Sequence, residues 1–232
     1  MAQPDSSDRC HGRPHPLLTT TLLFLRHGET EANRARRIQG QDDTPLTAHA
    51  IRATRAMAAK LAALEETTLA GGKSGESSAS RSPNTLPDWP HQYCSPLQRA
   101  RDTLGHLRTH LGLTETPVSY DPRLMEIDFG EHTGRPVDEV LELILHHKRH
   151  PWQAYPGGES GQDLQNRVLE FVAEISARHA GERVLVMTHF GVIETVLRHY
   201  LRIPTEQPVR PQHDQLFRVE LSDTQPAVVT QL

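Results

Sequence analysis

The chain has 232 residues, of which 36% are hydrophobic and 23% charged, enough apolar material for a core and far from a disordered composition. Its formal charge of −4 excludes broad, nonspecific attraction to nucleic acid or anionic membrane, although local basic clusters can still hold small anions. Two cysteines, Cys10 and Cys94, exclude a disulfide framework, the cytoplasm is the expected compartment, and no stretch approaches the roughly 20 apolar residues of a membrane span.

The opening "MAQPDSSDRCHGRPHP" is polar, proline-rich and without periodicity, so residues 1–16 are expected to form a flexible tail before one domain over 17–232. Residues 19–26 read as a buried strand; "LLTTTLLFL" lacks the small-residue cleavage site of a signal peptide. "LTAHAIRATRAMAAKLAALEE" predicts a helix capped by Thr47, with Ile51, Met57, Leu61 and Leu64 on its apolar face. The Gly/Ser/Pro-rich segment at about 70–90 is expected to be a mobile insertion. Its "GGKSG" is not a P-loop, because Thr67 stands where the first glycine is required and the segment follows a helix.

A short strand over 91–94 leads into a helix through "SPLQRARDT", with Ser95 read as the cap and Pro96 as the first helical residue. "PVSY" is a further strand, and "HHKRH" places His146 and His150 four apart, a zinc-compatible spacing without a third ligand that reads as a solvated helix end. "PWQAYPGGES" is loop, with Ser160 and Asp163 as a capping box for a helix to about Arg178. "RVLVMTH" is a buried strand, "FGVIETVLRHYL" a helix, and "QLFRVELS" and "AVVTQL" two closing strands. Strands alternating with helices give an α/β protein whose sheet is mostly parallel until that closing pair.

"LFLRHGET" ends an apolar strand on Arg26 and His27. Neighbours on a strand point to opposite faces, so the two share a pocket only if the chain leaves the sheet there, a bend that Gly28 permits. "VLVMTHFG" repeats the pattern at His189, and ligands of open α/β sheets bind beyond the carboxyl ends of the strands. If the two strands are parallel neighbours, their imidazoles converge. That arrangement suits phosphate chemistry, with guanidinium forks such as Arg26 and Arg99 matching the oxygens.

"LRHGET", "SPLQRARDT", "LMEIDFGEHTG", "PGGES" and "VMTHFGVI" occur in the order that resembles the histidine phosphatase superfamily, the phosphoglycerate-mutase-like family, over about Leu22 to Leu201. The resemblance implies a three-layer α/β/α sandwich around a mostly parallel sheet. It also implies a metal-independent enzyme without a cofactor. By position, His27 is similar to the family's phosphohistidine nucleophile, Arg26, Arg99 and His189 to the rest of the phosphate pocket, and Glu126 to the proton donor. Asn33, Gln39 and Gly40 fall where the family adds phosphate or substrate contacts, although Asn33 also reads as a turn former.

Ala50 stands where the family usually has glycine, "WPHQYC" is less β-branched than its second strand, and Phe190 is expected to narrow the pocket wall. The expected activity is hydrolysis of a small phosphorylated metabolite through phosphohistidine. A 2,3-bisphosphoglycerate-dependent phosphoglycerate mutase and a non-catalytic phosphate-binding protein of the same fold are the alternatives. Substrate selectivity is expected from loops such as 131–160 and the 70–90 insertion, and a homodimer is one open assembly state.

Overall fold

Leu22, Leu23, Phe24 and Leu25 are each at most 1% exposed, because the strand that carries them, β1 (Thr19–Arg26), is covered on both faces. Successive side chains alternate across the sheet. Leu22 and Phe24 pack with Val168 and Phe171 of helix α5 (Gly161–Arg178) and with Val192 and Ile193 of α6 (Phe190–Leu201). Leu23 and Leu25 pack on the other side with Met57 and Leu61 of α2 (Ala48–Ala70) and with Leu104 and Leu107 of α3 (Gln98–Leu111). Burial of each such side chain contributes about 1.5–3 kcal/mol, and the two clusters make the expected three-layer α/β/α sandwich.

In this computed structural model the described residues are 18–70, 89–222 and 225–232. The expected tail at 1–16 and all but the ends of the insertion expected at about 70–90 lie outside them. The sheet runs β3-β2-β4-β1-β5-β6, with β2 at His91–Cys94, β3 at Val118–Tyr120, β4 at Arg183–Thr188, β5 at Leu216–Ser222 and β6 at Val228–Gln231. β3, β2, β4 and β1 are parallel to one another, and the closing β5 and β6 are antiparallel. In the β1–β4 register Arg26 lies beside Thr188, so the next residues, His27 and His189, leave the sheet side by side.

Three expectations need correction. Ile51 is 39% exposed; the buried face of α2 runs through Ala50, Thr54, Met57, Ala58 and Leu61, one residue out of phase with Ile51, and Leu64 lies outside the described side chains. Helix α3 begins at Gln98, so Pro96 is not its first residue and Ser95 is not its N-cap; the N-cap residue Leu97 has no polar side chain, and Asp43 reaches across to accept from the Gln98 N–H at 2.7 Å. The 131–160 region is not all loop: α4 (Val137–Arg149) crosses it, and a short helix α1 (Glu31–Arg34) follows β1.

Candidate active site

The His27 and His189 ring centroids are 5.0 Å apart, and the side chains are 2% and 0% exposed. Their hydrogen bonds differ. The His27 backbone N–H donates to Thr188 O at 2.9 Å, while its ring Nδ1 lies 2.8 Å from Gly28 O. A carbonyl only accepts, so Nδ1 carries the proton and Nε2 presents a lone pair, 3.3 Å from the Nε–H of Arg99. His189 Nε2 is 2.7 Å from Ser95 Oγ, which already accepts from the Leu97 N–H. A hydroxyl can accept the Leu97 N–H and still give its own proton, and with Ser95 assigned as donor to Nε2 the His189 proton sits on Nδ1. That Nδ1 is buried and has no partner among the described residues.

Burial is the main cause holding both imidazoles well below their ordinary pKa, reinforced at His27 by His189, Arg99 and Arg26 and at His189 by Arg99 and Arg26. Burial also pulls Arg26 down to about 10, opposed by the charge of Glu126. Arg26 donates from Nη1 to Pro211 O at 2.8 Å and lies over the Phe190 ring at 5.2 Å, and its Nε is a second buried donor without a partner among the described residues. Arg99 is 1% exposed. Its Nη1 donates to Asp42 O and Asp43 Oδ1, and its Nη2 to Gly40 O at 2.6 Å, which fixes the guanidinium beside His27.

Gly28 does not adopt a positive φ; its requirement is close approach. A Cβ there would lie 2.9 Å from the Cβ of Ala50, and the Gly28 N–H donates to Thr103 Oγ1. Thus α2 and α3 press directly on the turn that carries His27.

Glu126 reaches the site from the loop after β3. Its Oε1 accepts from the backbone N–H of Ile127 and of Gly191, both at 3.0 Å, and Oε2 has only a longer contact to Gly191 at 3.3 Å. Gly191 is in the first turn of α6, and a Cβ there would fall 2.4 Å from Oε1. Arg167 braces this loop by donating to the carbonyls of Arg123, Met125 and Glu126, and is itself held by Glu159 of "PGGES".

Arg26, His27, Arg99, Glu126, Asn33, Gln39 and Gly40 all line one cavity of about 840 Å³. His189 stands behind this wall, against His27. Asn33 is also the turn former, since its Oδ1 accepts from the Thr30 N–H and hydroxyl. Gln39 accepts from the Thr44 hydroxyl, and Gly40 touches the site through the carbonyl that holds Arg99. Phe190 lines the cavity as expected, and α4 contributes Val137, Leu141 and Ile144. The zinc-like pair His146 and His150 stack at 4.3 Å, bonded to Gln153 and to the His146 carbonyl.

Sequence reasoning missed Ser95 as the partner of His189, Asp43 as the cap of α3 and the anion beside Arg99, and His213. The His213 Nδ1 donates to His27 O at 2.5 Å, and burial pulls this imidazole down to about 4. No local pattern marks these three residues, whereas the full extent of α4, also missed, has one: Val137, Val140, Leu141 and Ile144 follow helical spacing.

The profile of the histidine phosphatase superfamily (branch 1) matches residues 22–70 and 72–230. The solved structure of YhfR from Bacillus stearothermophilus is 30% identical with a TM-score of 0.69, covering 91% of this chain and 95% of that one. An uncharacterized phosphatase, PhoE of Bacillus subtilis (strain 168), is 27% identical over 77% of this chain and 76% of its own length. A probable phosphoglycerate mutase, GpmB of Salmonella paratyphi C (strain RKS4594), is 27% identical over 88% of this chain and 86% of its own. Among the described residues no helix is long and apolar enough to cross a membrane.

Proposed function

Because this chain belongs to the histidine phosphatase superfamily, an enzyme family of the phosphohydrolase and mutase kind, we propose that it hydrolyses a small phosphate monoester through a phosphohistidine on His27. The observation that carries this reading is a pair of buried nitrogens without a partner among the described residues, Arg26 Nε and His189 Nδ1: Arg26 lines the same cavity as His27, and the His189 ring packs against His27. Each unsatisfied buried donor costs about 1–3 kcal/mol, a cost that a doubly charged phosphoryl group would relieve.

His27 Nε2 attacks phosphorus while the bond to the ester oxygen breaks. The Nε–H of Arg99, which rests on Nε2 at 3.3 Å, turns to a phosphoryl oxygen. Arg26, Arg99 and His189 stabilise charge on the equatorial oxygens. Glu126, through the less engaged Oε2, gives its proton to the leaving alkoxide. The resulting carboxylate then takes a proton from the water that attacks phosphohistidine, releasing inorganic phosphate and restoring His27.

Mutase action would keep the same phosphohistidine and return its phosphoryl group to a second hydroxyl; the GpmB likeness keeps that reading alive. Purified protein assayed with p-nitrophenyl phosphate in EDTA separates them. Hydrolysis is expected between pH 5 and 8, and its absence there, together with conversion of 3-phosphoglycerate when 2,3-bisphosphoglycerate is added, would replace the phosphatase with a mutase. Loss of both would leave a binding protein.

A further inference from the structure

Away from the cavity, His91, His179 and Glu182 converge at the opposite edge of the sheet, where β2 and β4 begin and α5 ends. A strand rises about 3.3 Å per residue, which puts Glu182 roughly 20 Å from His189. We propose that these three side chains form a binding site for a divalent transition metal of the zinc type, which ties the end of α5 to the starts of β2 and β4.

The backbone builds the cluster. His91 pairs with Val184 in the sheet, two residues beyond Glu182. The Glu182 N–H donates to His179 O at 2.9 Å, closing a turn that brings the imidazole and the carboxylate together. His91 Nε2 lies 2.7 Å and His179 Nδ1 3.3 Å from the same oxygen, Glu182 Oε2, and the three ligand atoms are all within 4.8 Å of one another. Zinc bonds to nitrogen and oxygen of about 2.0–2.2 Å place tetrahedral ligand atoms roughly 3.3 Å apart, so shifts of an ångström or so suffice. Two imidazoles and one carboxylate leave the fourth position to water.

The surroundings suit a metal. A carboxylate only accepts, so in the ion-free chain His179 Nδ1–H faces Glu182 Oε2; an ion on Nδ1 displaces that proton, and the hydroxyl of Tyr93, 7% exposed and 2.9 Å from Nε2, then takes the Nε2–H, the outer-shell arrangement typical of metal-bound histidine. The rings of His91 and His179 stack at 3.8 Å, which two imidazolium ions would resist. Glu182 is 51% exposed along its side chain, so an ion has a direct path in.

EDTA-stripped full-length protein titrated with Zn2+ by calorimetry, and with Co2+ by visible absorption, tests the site. A single equivalent is expected, with a four-coordinate Co2+ spectrum and a saturable rise in Tm. Glu182→Gln, an exposed substitution that leaves the fold intact by circular dichroism, should weaken binding at least about 100-fold, and Tyr93→Phe roughly 10–100-fold. Hydrolysis of p-nitrophenyl phosphate should be unchanged in Glu182→Gln. Absence of binding at micromolar Zn2+, or an equivalent that survives in the Glu182→Gln protein at wild-type affinity, would overturn the site and in the second case assign the ion to other histidines, such as His146 and His150.

Discussion

The end of β1 and the end of β4 share one pattern, an apolar strand running into histidine with glycine close behind, yet the fold gives the two imidazoles opposite hydrogen bonding. At β1 the Gly28 carbonyl holds Nδ1 and leaves Nε2 as a lone pair beside Arg99; at β4 Ser95 takes Nε2 and leaves Nδ1 as a buried donor. Which nitrogen a neighbour claims decides whether histidine can attack phosphorus or donate to its oxygens. The glycines differ as well. Gly28 admits Ala50 against the turn, and Gly191 admits the Glu126 carboxylate to the first turn of α6.

The strongest way to break this comparison is to remove each imidazole in turn. His27→Ala is expected to abolish the acid-labile phosphoryl label and to lower kcat/KM by about 10⁴-fold or more, as loss of a nucleophile does. His189→Ala should cost about 10²–10³-fold, as loss of one charge-stabilising donor does, and still form the label. Equal loss of label in both proteins would mean that the two histidines are not distinguished by their tautomers.

Gly191→Ala probes the second glycine. Its methyl group would have to displace the Glu126 oxygen, so turnover should fall by about 10²-fold while Tm changes little, because a side-chain end moves rather than backbone. A large fall in Tm would instead show a role in packing α6 on Leu164. Ser95→Ala removes the group that sets the His189 tautomer and should cost about 10-fold, the equivalent of one neutral hydrogen bond.

The smallest effects are in pH dependence. On the proposed mechanism His27 attacks as the neutral imidazole, and its lowered pKa keeps it neutral as pH falls through 6.5, so the acid limb of kcat/KM that reports His27 should lie well below that value. Stability runs the other way. The unfolded chain takes up the His213 proton near 6.5 and the folded chain only near 4, so stability present above 6.5 is lost as pH falls across that window, by up to about 3 kcal/mol. His213→Asn, which keeps a donor for His27 O, should lower the slope of the Tm profile there, leaving the share of His27 and His189. An unchanged slope would show that other groups carry the acid response.

Much of the fold was legible because local patterns and tertiary packing agree. The continuous apolar runs of β1 and β4, the Ser160–Asp163 capping box and the limits of α6 all coincide with the structure. α2 was legible as a helix with Met57 and Leu61 on its buried face but not in its first turn, where Ile51 is the more apolar residue and contact with Gly28 selects the smaller Ala50 for the inside. Ser95 was read as a cap because serine before proline has that local meaning. Asp43, more than fifty residues away, took the capping role and released Ser95 to His189.

By itself the sequence determined the order of strands and helices, the placing of Arg26, His27 and His189 at strand ends, and the residue types a phosphoryl group needs, because these follow from hydrophobic periodicity and side-chain chemistry. Only the tertiary structure decided the tautomers, the burial that lowers both imidazoles, the seating of Glu126 on Gly191 and the convergence of His91 with His179 and Glu182. Those depend on atoms distant in the chain coming within hydrogen-bond reach, and no local pattern encodes such distances.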